Sequence, residues 1–127
     1  MPNYLIDTSS LIDYSKGAEP AASFVKGLLL GGSNVGITDV VVAEFFSGVP
    51  ISERAAWDVF LADFEYWTSD YQAAVRAGNY RCSFARRGVV LSTQDALIAA
   101  VAVELGATLV TNNARDFLMP DVTLLVP

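Results

Sequence analysis

Short apolar runs recur along this chain, and each hands over to hydroxyl, amide or carboxylate residues. Tyr4-Leu5-Ile6 leads into Asp7-Thr8-Ser9-Ser10, and the segment from Asn34 to Ile37 leads into Thr38. Val89-Val90-Leu91 leads into Ser92-Thr93-Gln94-Asp95, and Thr108-Leu109-Val110 into Thr111-Asn112-Asn113. A short apolar run that ends in helix-capping residues reads as a buried strand feeding a helix. Strands and helices in alternation predict an α/β fold, a central parallel sheet flanked by helices on both faces.

The helices between these strands have recognisable ends. Glu19 to Leu30 reads as one, with Pro20 in its first turn and Gly31-Gly32 stopping it. Thr38 caps a helix over Asp39 to Ser47, and Ser52 to Phe64 forms the next. In that helix Trp57, Phe60, Leu61 and Phe64 make an apolar stripe, read as core with a partner surface as the second reading. Glu65 to Thr68 is a short strand. Ser69-Asp70 opens a long helix that runs to Arg87 and stops at Gly88. Ala96 to Leu105 is a helix closed by Gly106, and Val122 to Val126 adds the last strand. A chain of 127 residues without linker or repeat is expected to be a single domain over 1–127.

Composition narrows the chemistry. The chain contains no histidine, which excludes Ser-His-Asp and Cys-His catalysis and histidine-based zinc sites. It also lacks the glycine-lysine loop of P-loop proteins. Cys82 is alone, so no internal disulfide can form. Any catalysis must rest on carboxylates, hydroxyls, amides and a few cations, and gathered carboxylates call for a hard divalent metal. No apolar run approaches the ~18 residues of a membrane span. The N-terminal stretch carries Asp7, Asp13 and Glu19 without a basic segment, so no secretory signal and a cytoplasmic location are expected. The apolar share, 53%, is high for one small core and suggests surface reserved for a partner.

The net charge of −6 opposes simple nucleic-acid binding. Two features soften it. Acids gathered around a metal ion are neutralised there, and Arg76, Arg81, Arg86 and Arg87 cluster in the long helix. Arg76 and Arg87 return to nearly the same face with Arg86 alongside, a solvated basic face or a contact for backbone phosphates.

Asp7, Asp95 and Asp116 each follow a predicted strand, at the edge where open α/β sheets bind ligands. Glu44 lies in a helix entered from that edge, among Val40, Val41, Val42, Ala43, Phe45 and Phe46. It shares a face with Val40 and Val41, whereas Asp39 lies about 140° away around the helix, where solvation is ordinary. Each acid has a bland reading: Asp7 and Asp95 as caps, Glu44 on a polar strip, Asp116 in a turn. One arrangement accounts for all of them, because converging carboxylates repel unless metal relieves them.

With those residues in place, the sequence resembles the PIN-domain ribonucleases, and in size most closely the VapC-type toxins of toxin–antitoxin pairs. The resemblance runs through Leu5-Ile6-Asp7-Thr8-Ser9, Thr38 to Glu44, Ser92-x-x-Asp95-Ala96-Leu97-Ile98-Ala99-Ala100 and Leu109 to Phe117. It implies a Rossmann-like parallel sheet and an Mg²⁺- or Mn²⁺-dependent endoribonuclease. Asp7, Glu44, Asp95 and Asp116 match the acidic quartet. Ser9 matches a supporting hydroxyl that leaves the capping of the first helix to Thr8 or Ser10, and Thr111 and Asn113 are further supporting positions. Relatives differ in whether the last acid stands at the place of Asn113 or of Asp116; with Asn at 113, Asp116 is the expected ligand. The metal would activate water for in-line attack on an RNA phosphodiester, with Arg76, Arg86 and Arg87 as RNA contacts.

The resemblance also implies a VapB-type antitoxin partner and a homodimer. The alternatives are an RNA-processing nuclease without a toxin role and a mainly partner-binding module. An acidic receiver domain fits poorly, because Asp7 is followed by Thr8 and the lysines, Lys16 and Lys26, come early.

Overall fold

The computed structural model describes residues 2–127. Its strands are β1 (Asn3–Ile6), β2 (Asn34–Thr38), β3 (Glu65–Trp67), β4 (Thr108–Val110) and β5 (Leu124–Leu125). They form one sheet in the order β3-β2-β1-β4-β5, with every neighbouring pair parallel. Leu5 and Ile6, successive residues pointing to opposite faces, are both fully buried, as are Leu109 and Val110. The central strands are therefore covered on both sides, as the continuous apolar runs require.

The helices are α1 (Thr8–Ser15), α2 (Ala21–Leu30), α3 (Asp39–Ser47), α4 (Arg54–Leu61), α5 (Tyr71–Arg86) and α6 (Thr93–Glu104). Short 3-10 turns occupy Ile51–Glu53 and Ala114–Asp116. The expected caps are present on α3, α5 and α6: Thr38 accepts from the Val41 amide, Asp70 from Ala73 and Ser92 from Asp95. The helix expected from Ser52 to Phe64 is shorter. A 3-10 turn replaces its start, and the N-cap of α4, Glu53, makes no side-chain capping bond. Its stripe is mostly core. Leu61 and Phe64 are buried, while Trp57 packs at 5.5 Å from Phe45 and Phe60 at 5.2 Å from Tyr14.

One expected strand is absent. Val89-Val90-Leu91 is not in the sheet, and Val90 is 95% exposed. Gly88, with φ of 75°, ends α5 in a left-handed turn in which the Gly88 amide donates to Ala85 and the Val89 amide to Phe84. Arg81 Nε donates to the Leu91 carbonyl over 3.0 Å. The segment thus meets helix-cap and side-chain partners instead of a ladder, and α5 turns directly into α6.

The sheet order makes β1 and β4 the point where the chain reverses its direction of travel across the sheet. Ligand crevices open there, beyond the carboxyl ends of the strands. Close approach on the other side of β1 depends on Gly36 in β2, where a Cβ would overlap the ring of Trp67.

Candidate active site at the carboxyl edge of the sheet

β1 delivers Asp7 to the reversal point, and β4 delivers Thr111 directly beside it. Ile6 is in register with Val110, and the Asp7 amide donates to the Val110 carbonyl at 2.9 Å. Asp7 is only 5% exposed. Its Oδ1 accepts from the Thr8 amide at 2.7 Å. Its Oδ2 accepts from the Thr111 hydroxyl at 2.8 Å and from Ser9 at 3.4 Å. Burial pushes the Asp7 carboxyl above its ordinary pKa, the Thr111 and Thr8 hydrogen bonds oppose the rise, and the nearby Glu44 charge adds to it.

Asp7 is itself the N-cap of α1, accepting from the Thr8 amide. The expectation that Thr8 or Ser10 would take over this cap is therefore corrected. Ser10 Oγ is buried with no hydrogen-bond partner, and the Thr8 hydroxyl is turned to Glu44 Oε1, 2.8 Å away. A residue at the first position of a helix is free to turn its side chain outwards while its amide serves the cap.

Glu44 is half-buried on α3, on the expected face with buried Val41 and half-buried Val40. Asp39 is less solvated than expected, because its Oδ1 accepts from both the Ser69 amide and hydroxyl. Asp95 sits in the first turn of α6. The short connection from α6 into β4 puts the far, N-terminal end of α6 at the carboxyl edge of the sheet, so Asp95 reaches the site without a strand before it. Burial raises its pKa, Ser92 opposes the rise, and the charges of Asp7, Asp116 and Glu44 raise it further. Asp116 lies exposed on the 3-10 turn after β4, and its amide donates to the Asn113 carbonyl. The Asn113 amide donates to Thr111 Oγ1 at 2.9 Å, which links the loop carrying Asp116 back to Asp7.

The charges of Asp7, Glu44 and Asp116 thus all act on Asp95, and that of Glu44 acts on Asp7. Among the described residues none of them pairs with Arg or Lys. The donors are all oxygen, the chemistry that suits a hard divalent cation. Among the described residues, no three His, Cys, Asp or Glu side chains stand close enough to hold an ion jointly. Such a donor set suits a hard divalent cation held by one or two of the carboxylates, with water completing its shell.

The arginines divide. Arg76 is paired with Glu104 at 3.2 Å and Asp121 at 3.1 Å. Those bonds place it at the C-terminal end of α6, about 14 Å along the helix from Asp95. It is therefore held in ion pairs away from Asp95 rather than beside the acids, where the sequence reading places it. Arg87 lies over the Phe84 ring at 4.4 Å, and Arg86 is exposed, both where α5 turns back towards α6. Two residues escaped the sequence reading. Thr8 touches Glu44, and Asn112 Nδ2 donates to Asp13 Oδ2, tying the loop after β4 to α1. The signal for Thr8 was its place beside Asp7, but a hydroxyl run at a helix start reads first as a set of caps.

Comparison with known proteins agrees with this fold. The PIN domain family matches residues 4–121. The ribonuclease VapC19 of Mycobacterium tuberculosis is 35% identical over 93% of this chain and 95% of its own length. Among solved structures, VapBC2 of Rickettsia felis bound to a promoter DNA fragment superposes with a TM-score of 0.85 at 23% identity, covering 98% of both chains. DNA-bound VapBC of Salmonella typhimurium superposes at 0.82 with 25% identity, covering 99% of this chain and 98% of that one.

Proposed function

This chain belongs to the PIN-domain family, and from that premise we propose that it is a metal-dependent endoribonuclease and the toxin component of a VapBC-type toxin–antitoxin pair. The observation that carries the reading is the near full-length similarity to a VapC ribonuclease. The acidic edge described above supports it.

In this reading Asp7, Glu44, Asp95 and Asp116 hold Mg²⁺ or Mn²⁺, directly or through water. When bound, the metal supplies an activated water and screens the negative charge of the phosphodiester. The chain's own residues do the rest. Thr111, Ser9 and the Thr8 amide fix the Asp7 carboxylate, so its orientation is set before substrate arrives. Asn113 ties the loop bearing Asp116 to the same hydroxyl. Arg86 and Arg87 offer positive charge to the RNA backbone, which the acids alone would repel. Among the described residues, no helix is long and apolar enough to cross a membrane.

A VapB-type antitoxin is the proposed partner, and a homodimer is the proposed assembly. Exposed Ile51 and partly buried Val42, Phe46 and Val49 line an apolar groove with Arg54 and Asp58 that suits a protein partner. The reading is tested by incubating purified chain with RNA and Mn²⁺, with and without EDTA, beside Asp7→Asn. Metal-dependent cleavage that Asp7→Asn abolishes is expected. Wild-type cleavage by that variant, or cleavage that EDTA leaves untouched, overturns the site.

A further inference from the structure

Among the described residues, Thr8 alone hydrogen-bonds two of the acids at once. Its amide donates to Asp7 Oδ1 at 2.7 Å, and its hydroxyl donates to Glu44 Oε1 at 2.8 Å. Asp7 comes from the end of β1 and Glu44 from α3, elements separated by α1, α2 and β2. Nothing in the local sequence fixes the distance between such groups; a side chain reaching across must do so. We propose that Thr8 is a positioning residue that sets the Asp7–Glu44 spacing and thereby the affinity of the site for a divalent cation.

The geometry favours this over a purely structural role. Helix capping at this place uses the Thr8 amide and the Asp7 side chain, so the hydroxyl is not needed for the cap. The hydroxyl instead serves a carboxylate 36 positions away, engaging Oε1 and leaving the direction of Oε2 to be set by that contact. A donor on one oxygen of a carboxylate restricts rotation of the group and fixes where its other lone pairs point. Two like charges approach here without a protein cation, and Thr8 gives each a donor. Of the acids' side chains, Ser9 and Thr111 donate only to Asp7.

The inference rests on the metal-site reading above, and its test separates the two. Thr8→Val keeps the branched shape and removes the hydroxyl, whereas Thr8→Ser keeps the hydroxyl. Mn²⁺ binding to each purified chain is followed by titration calorimetry, with thermal unfolding in EDTA as a check of the fold. Thr8→Val is expected to bind Mn²⁺ about tenfold more weakly, the range for losing a residue that orients a metal ligand. Thr8→Ser should remain within about twofold of wild type, since it keeps the donor. Wild-type affinity in Thr8→Val overturns the proposal, as does equal weakening in both variants, which would assign the effect to packing. If the wild-type chain bound no Mn²⁺, the metal site would fall and the proposal with it. Weak binding by Thr8→Val beside normal binding by Thr8→Ser supports both.

Discussion

Thr111 donates its hydroxyl to Asp7 Oδ2 over 2.8 Å, joining the ends of β4 and β1, residues 104 positions apart. Thr111 Oγ1 also accepts the Asn113 backbone amide, so one buried side chain orients the central carboxylate and the loop that carries Asp116. Thr111→Val should therefore lower Mn²⁺-dependent cleavage by roughly 10–100-fold. It should also cost about 1–3 kcal/mol of stability, because the Asn113 amide and a buried carboxylate each lose a partner. Urea unfolding in EDTA and single-turnover cleavage measure the two effects. A variant unchanged in both would remove Thr111 from the site.

Stability without metal should fall as pH rises. Asp7 and Asp95 both have folded-state pKa values above their ordinary 3.8, burial being the first cause in each. The folded chain holds those protons more tightly than the unfolded one. The contribution is fully present below the ordinary value and is lost as pH rises through the folded values. Asp7→Asn should flatten this profile relative to wild type in EDTA while abolishing cleavage in Mn²⁺. Unfolding midpoints from pH 4 upwards in both chains make the comparison, and equal slopes would contradict it.

The arginines should separate in the same way that the structure separates them. Arg86→Ala with Arg87→Ala should weaken RNA binding and reduce its salt dependence, as loss of phosphate contacts does. Arg76→Ala should leave RNA binding unchanged and cost up to about 1 kcal/mol of stability for each of its partly exposed ion pairs. Filter binding at several salt concentrations distinguishes them. Weakened RNA binding in Arg76→Ala would return that residue to the interface.

The parts legible in the sequence are those whose signals are local. Apolar runs flanked by capping residues gave β1, β2 and β4, and Thr38, Asp70 and Ser92 marked their helices in advance. The same rule failed at Val89 to Leu91, because an apolar run records a need for burial or capping and not which partner meets it. Here a glycine turn and Arg81 met it. Of the site, the acids were legible as residue types beyond apolar runs. Their mutual fixation was not, since Thr8–Glu44 and Thr111–Asp7 join segments far apart in the chain. At Arg76, helical spacing gave the place on α5 but could not reveal Glu104 and Asp121 opposite it.

The spacing that brings α3 to the site depends on β2, and β2 depends on Gly36. A Cβ at that position would overlap several ring atoms of Trp67 on the neighbouring strand β3. Alanine is ordinarily favoured over glycine inside a strand by roughly 0.5–1 kcal/mol, so a bare propensity argument predicts a gain from Gly36→Ala. The overlap decides otherwise, because three Trp67 ring atoms lie within 2.6 Å of where the Cβ would stand, and overpacking of this kind costs about 1–3 kcal/mol. Gly36→Ala should therefore destabilise the chain, and Trp67→Ala should recover part of that loss by opening the space. A double-mutant cycle in urea measures the coupling: strongly non-additive effects are expected for residues in contact, whereas additive losses would mean that the ring is not what excludes a side chain at position 36.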